Sequence, residues 1–106
     1  MSKFSIDLPE AGDKITLTFS MDAMDALHEK YGDKYVNEVF DRLNMFDPVA
    51  IKLCLSKMAS AEVSIPDLMQ KMTVQDLSVR IADAIHLSLK GTKLSDMKAD
   101  DEAAAA

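Results

Sequence analysis

The residues best suited to metal binding or nucleophilic catalysis in this 106-residue chain are two histidines and one cysteine: His28, His86 and Cys54. A zinc site needs His or Cys ligands at short, regular spacings, and these three residues lie on different predicted helices. Cys54 lies in the most apolar stretch of the chain, where a thiol is inert rather than nucleophilic. We therefore predict neither a metal site nor a catalytic cysteine.

The carboxylates offer no general acid–base pair. Such a pair needs a cleft that shifts the two pKa values apart. The acidic residues are instead scattered over predicted helix surfaces and helix starts: Asp22, Asp25, Asp41, Asp76 and Asp83. Each of the three glycines falls at a turn or a helix end, so the sequence contains no glycine-rich phosphate loop. We predict a protein that is not an enzyme and uses no cofactor.

Composition and charge further narrow the possible classes of protein. A chain of this length fits one domain, and its hydrophobic content of 48% is that of a globular protein. The net charge of −6 would be repelled by phosphate backbones and anionic lipids, so we expect no nucleic-acid partner and no membrane partner. The single cysteine suits a reducing compartment, and the N-terminus lacks the apolar core of a signal peptide. These features predict a cytoplasmic protein.

The stretch over residues 15–32 predicts a strand that leads directly into a helix. Three apolar residues first alternate with polar ones, as in a strand with one buried face: Ile15, Leu17 and Phe19. From Ser20 onward the apolar spacing becomes helical, with Ser20 as a natural N-cap. Gly32 can adopt the backbone conformation that ends the helix.

A similar alternation over residues 4–8 predicts an earlier strand, and a turn over residues 9–13 makes the two strands an antiparallel hairpin. Helical spacing dominates the remainder. Asp33 is predicted to cap a second helix, Asp47-Pro48 to start a third that runs to Ser60, and Thr73 to cap a long last helix that ends at Lys90-Gly91. A short helix carrying Met69 and Met72 precedes the last one.

The predicted fold is therefore α+β but mainly α, an N-terminal two-stranded hairpin followed by a four- or five-helix body. The third helix is apolar around most of its circumference and should be the most buried. One globular domain is expected over residues 1–91. Residues 92–106 are acidic and rich in alanine, which predicts a mobile tail.

Two sets of residues are candidates for protein contacts. A short helix with large apolar residues often keeps some of them exposed for a partner, although a purely structural core is an equally good interpretation. The candidate partner-binding residues are Tyr35, Val36, Val39, Phe40, Met69 and Met72. A hairpin of two strands also has outer edges that another copy could pair with, which predicts a homo-oligomer. The candidate self-association residues are Ile15, Thr16, Leu17, Thr18 and Phe19. Alternatively, the chain after Ser60 or after Gly91 covers the edge and leaves a monomer.

The strand, cap and helix over residues 17–32 also form a pattern: a strand of the type L-T-F, a short cap, and a helix reading x-Ala-x-x-x-Leu-x-x-x-[Tyr/Phe]-Gly. Its matching residues are Leu17, Thr18, Phe19, Ala23, Leu27, Tyr31 and Gly32. This pattern resembles the start of small phage tail assembly chaperones and of related small tail proteins of gene transfer agents and long-tailed phages. The order of elements fits this family through about Leu89.

The resemblance implies a non-enzymatic protein of the host cytoplasm that binds the tape-measure protein. It would keep that long helical protein soluble while tail-tube subunits polymerise around it. The family also implies self-association, and in many phages a longer frameshifted form whose C-terminal extension recruits the tail-tube protein.

Other classes stay open. A small acidic regulatory or adaptor protein, such as an antitoxin or an anti-repressor, could mask a basic partner. A structural tail subunit would be present in purified particles. An acyl carrier protein is a weak alternative, because its modified serine follows an aspartate directly, whereas the nearest string here is Asp76-Leu77-Ser78.

Overall fold

A computed structural model describes residues 4–92 of the chain. It contains an antiparallel hairpin followed by five α-helices: β1 Ile6–Asp7, β2 Thr16–Leu17, α1 Met21–Tyr31, α2 Tyr35–Asn44, α3 Pro48–Met58, α4 Ile65–Leu68 and α5 Val74–Lys90. The predicted α+β, mainly α fold is confirmed. The predicted tail lies outside the described residues except for Thr92.

The hairpin is shorter than the alternating pattern predicts. Only two residue pairs form the ladder, Ile6 with Leu17 and Asp7 with Thr16. A short 3-10 turn, Pro9–Ala11, follows β1, because proline fixes a helical φ and has no amide to donate to a ladder.

The outer edge of β2 is covered by the chain itself. The amide of Thr18 donates to the carbonyl of Met58 at 3.0 Å, and the amide of Ser60 donates to the carbonyl of Thr16 at 2.9 Å. The amide of Thr16 donates to Ser60 Oγ at 3.0 Å, and Leu17 forms a bridge with Ala59.

The outer edge of β2 is therefore not free, and the self-association of residues 15–19 with another copy stays a prediction. The segment at the end of α3 occupies that edge, because the C-terminus of α3 lies next to β2. Leu17 and Phe19 are buried in the core, while Ile15, Thr16 and Thr18 are half-buried. The alternative prediction, cover by the chain after Ser60 or after Gly91, placed the covering segment too late in the chain, since residues 58–60 make these contacts.

The third helix, α3, is central, as predicted. It contacts α1, α2, α5 and β2, and five of its residues are buried: Ala50, Ile51, Cys54, Leu55 and Met58. The Asp47 carboxylate caps it by accepting the Val49 amide at 3.0 Å, and Pro48 takes the first helical position, where no amide partner is needed.

The starts of α1 and α5 agree with the sequence, whereas α2 and α4 differ from it. The short helix α4 ends at Leu68, before Met69 and Met72, which it was predicted to carry. Ser20 and Thr73 cap α1 and α5 with their hydroxyls, as predicted. The predicted cap by Asp33 is wrong: Lys34 is the N-cap residue of α2 and makes no side-chain cap bond. The Asp33 carboxylate lies 3.0 Å from Nε2 of His28 instead. Because α2 begins at Tyr35, Asp33 lies one residue before the N-cap position.

Candidate functional site: an apolar groove between α2 and α5

A groove of about 540 Å³ runs between the C-terminal half of α2 and the length of α5. Its walls carry two phenylalanines and several aliphatic side chains with a few polar groups among them: Phe40, Leu43, Asn44, Phe46, Gln75, Ser78, Val79, Ala82, Asp83 and His86. A concave, mostly apolar surface of this kind is the usual form of a binding site.

The groove exists because the apolar surface of each helix is wider than the core needs. On α2, Val39 and Leu43 face the core, and Phe40 lies beside them, only half-buried. On α5, Leu77 and Ile81 fill the core, while Val79 stays exposed on the neighbouring face. One apolar stripe per helix is enough for folding, so the second stripes form the groove.

The turn between α2 and α3 places an aromatic ring at this groove. The Asp47 amide donates to the Arg42 carbonyl at 3.0 Å, and the Phe46 amide donates to the Leu43 carbonyl at 3.1 Å. This pair of hydrogen bonds is a Schellman motif, which requires a left-handed residue after the helix and normally uses glycine. Here that residue is Phe46, with φ of +57°.

The left-handed backbone costs a residue with a Cβ about 1–2 kcal/mol. Phe46 is also 45% exposed, and its neighbours Met45 and Val49 are 67% and 53% exposed. Backbone strain and exposed apolar surface both disfavour folding, and here they coincide beside the groove. Strain that the fold retains in this way is concentrated at functional sites in proteins.

A buried hydroxyl adds a polar feature to the α5 wall. Ser78 is 4% exposed, and its Oγ has no hydrogen-bond partner among the described residues. Leaving such a group unpaired costs about 1–3 kcal/mol. Asp83, which also lines the groove, is the other buried polar residue of the described chain.

At one end of the groove, the chain folds back after α5. Gly91 takes the left-handed conformation that ends the helix. Nδ1 of His86 then donates to the carbonyl of Thr92 at 2.6 Å. The last described residue therefore lies against a side chain of the groove wall.

The predicted partner-binding residues are divided by the structure. Val39 and Met72 are buried in the core. Phe40 is half-buried and lines the groove. Tyr35, Val36 and Met69 are half-buried away from it. The role of these residues in binding stays a prediction, with Phe40 the one that the groove contains.

Sequence reasoning missed Phe46, Val79 and Ser78. Residues 44–46 lie just before the predicted start of the third helix at Asp47-Pro48, where the sequence analysis predicts no site. A methionine and a phenylalanine directly before a helix-starting Asp47-Pro48 pair were the available signal, because a turn seldom places large apolar residues there without a reason.

The candidate catalytic and metal-binding residues are not brought together. Burial raises the pKa of the Cys54 thiol to about 12, so it remains protonated and unreactive near neutral pH. Across residues 4–92, no group of His, Cys, Asp and Glu side chains is arranged to hold a metal ion. Within the same range, every helix is too short or too polar to cross a membrane.

Comparison with known proteins identifies no relative of this chain. A scan against protein-family models found no match, and searches of curated proteins and of solved structures found none either.

Proposed function

We propose that this protein is a non-enzymatic phage tail assembly chaperone whose groove between α2 and α5 binds helical segments of the tape-measure protein. The observation that carries the proposal is the open apolar groove, with a strained and exposed aromatic residue, Phe46, at its wall. The sequence pattern over residues 17–32 is the reason for proposing this family.

The groove has the properties that binding of an amphipathic helix requires. Recognition of this kind places the apolar face of a client helix against apolar side chains on two neighbouring helices. Phe40, Phe46 and Val79 offer such side chains without unfolding the domain, since each is partly exposed. A repetitive helical client would present many segments of the same type.

A binding assay with the tape-measure protein tests the proposal. The proposal predicts a long tape-measure gene just downstream of the gene for this chain. The product of that gene is the client to co-express and co-purify with this protein. We expect Val79→Asp to abolish co-purification while the protein stays folded by circular dichroism, because Val79 is exposed in the groove. Met21→Asp, an exposed apolar site on α1 outside the groove lining, is the matched control and should still bind.

Two outcomes contradict the proposal. One is a neighbouring gene that encodes a basic, DNA-binding protein or toxin in place of a tape measure. The other is equal co-purification by Val79→Asp and the wild type.

The proposed family also implies a homo-oligomer. The outer edge of β2 is already paired with residues 58–60, so self-association would use a different surface. Sedimentation of the wild type over a range of concentrations measures it directly.

A further inference from the structure

We infer that the groove selects amphipathic helices whose polar face is basic. This inference rests on the proposed function, since it specifies the chemistry of the client segment that the groove accepts. It follows from the net charge of the molecule, the length of the groove and the exposed, left-handed Phe46 at its wall.

The charge of this protein indicates which charge its partner carries. None of the ten residues that line the groove is lysine or arginine. The whole chain carries a net charge of −6. A helix that approaches this surface with lysines or arginines on its outer face is attracted, whereas an acidic one is repelled.

The same charge argument distinguishes between the molecules that could occupy the groove. The chain's own end beyond Thr92 starts at one end of the groove, but residues 93–106 contain four acidic residues and two lysines. A second copy of the chain also brings a net charge of −6. Both are repelled by the same field, so a basic partner is the favoured occupant.

The length of the groove sets the length of the segment. From Gln75 to His86, α5 extends for about 17 Å at 1.5 Å per residue. A client helix of about three turns would therefore lie along the whole wall.

One position on the walls is exposed for contact. Phe46 is held in a left-handed conformation at the α2 end, where its 45% exposed side chain can pack against an apolar side chain of the client.

Three labelled peptides of about 18 residues, long enough for the groove with one extra turn at each end, test the inference. All carry the same leucine stripe at helical spacing, and their remaining positions are lysine, glutamine or glutamate. Binding to the full chain is measured by fluorescence anisotropy at low and high salt. We expect affinity to fall in the order lysine, glutamine, glutamate, and the lysine peptide to bind more weakly at high salt.

Phe46→Asn separates binding in the groove from general attraction to an acidic protein. Asparagine tolerates the left-handed conformation, and the substitution leaves the net charge unchanged. We expect this variant to bind the lysine peptide at least tenfold more weakly than the wild type does. Met21→Gln, an exposed substitution outside the groove lining, should bind as the wild type does.

Several results would overturn the inference. Equal affinity for the three peptides, all weakened by Phe46→Asn, would refute charge selection and leave the helix-binding groove intact. Equal binding of the lysine peptide by Phe46→Asn and the wild type would assign the attraction to the surface at large. A wild type that dimerises more tightly as salt increases and excludes the peptides would place a second copy in the groove. Nuclear Overhauser contacts from Leu94 or Met97 to Phe46 in the free protein would place the chain's own end there.

Failure of the inference and failure of the proposed function are distinguishable. If none of the peptides binds but the tape-measure protein co-purifies through Val79, the inferred client chemistry is wrong and the chaperone function stands. If the lysine peptide binds and the tape-measure protein does not, the groove chemistry stands and the proposed client is wrong.

Discussion

The corner where β2 meets α1 and the turn between α2 and α3 differ in how they treat apolar side chains and backbone. At the corner, Leu17 and Phe19 are buried, and the outer edge of β2 is paired with residues 58–60. At the turn, Met45 and Phe46 are exposed, and the backbone of Phe46 is left-handed. Both regions lie at an end of α3, so they are joined by the most central helix of the fold.

The difference separates a part of the chain where apolar residues are buried from a part where they stay exposed on a strained backbone. Where sequence preference, packing and hydrogen bonding all agree, as at the corner, a substitution should affect folding. Where they conflict, as at the turn, a functional demand is the usual reason for the conflict. The residues of the sequence pattern over 17–32 belong to the first kind of region, and the groove belongs to the second.

The largest expected effect is at the corner. Leu17→Ala should lower the free energy of unfolding by about 2–5 kcal/mol, because it leaves a cavity at a fully buried position. Val79→Ala, at an exposed position in the groove, should change it by less than about 0.5 kcal/mol. Urea denaturation measures both. Equal losses of unfolding free energy in the two variants would contradict the distinction between the two regions.

Thr16→Pro tests the hydrogen bonds that close the corner. Proline removes the amide that donates to Ser60 Oγ, and we expect a loss of about 1–3 kcal/mol in unfolding free energy. Sedimentation of the variant and the wild type should be the same, because the edge of β2 is paired within one chain. A wild-type oligomer that Thr16→Pro converts to folded monomer would restore the hairpin as a self-association surface.

Much of the corner could be predicted from the sequence because its signals are local. Alternating residues, the N-cap Ser20 and the helix-ending Gly32 each specify the structure within a few positions. The cover of β2 by residues 58–60 could not be predicted, since it joins segments about forty residues apart through backbone groups. Backbone pairing of this kind leaves no pattern in side-chain types.

The groove was harder to predict than the core. Periodicity identifies an apolar stripe but not whether it faces the core or solvent, which is why Val39 and Phe40 could not be separated. In the structure α1, α3 and α5 all contact α2, and they leave Val39 and Leu43 buried but Phe40 only half-buried. The left-handed Phe46 was hidden for another reason: Schellman turns are recognised in a sequence by glycine, and none is present there.

An ion pair that fastens the hairpin turn to α5 should have a moderate, pH-dependent effect. Arg80 donates to both oxygens of Glu10, at 3.0 and 2.9 Å, and this hydrogen bonding lowers the pKa of Glu10 below its ordinary value. Glu10→Gln should lower the free energy of unfolding by about 0.5–1 kcal/mol near neutral pH. The effect is small because solvent screens this partly exposed ion pair. Asp13→Asn, an exposed acid in the same turn, is the matched control and should cost less.

The pH dependence of this loss has a definite sign. A carboxylate with a lowered pKa in the folded state stabilises the fold above its unfolded pKa, near 4.5, and that contribution is lost as the pH falls below this value. The difference in stability between the wild type and Glu10→Gln should therefore shrink on acidification below that pH. A difference that stays constant down to pH 3 would show that the ion pair does not hold the hairpin turn to α5.

The smallest expected effect is at Phe46, and its sign matters more than its size. Phe46→Gly relieves the left-handed strain but loses the buried half of the ring, so the free energy of unfolding should stay within about 1 kcal/mol of the wild type. Phe46→Ala loses the ring and keeps the strain, and should be less stable than Phe46→Gly by about 1 kcal/mol. At Asp41, inside α2 and exposed, the order should reverse, with alanine more stable than glycine by about 1 kcal/mol. Urea denaturation of the four variants gives both differences. If alanine were also the more stable residue at position 46, the backbone there would be unstrained, and the turn would lose the feature that sets it apart from the corner.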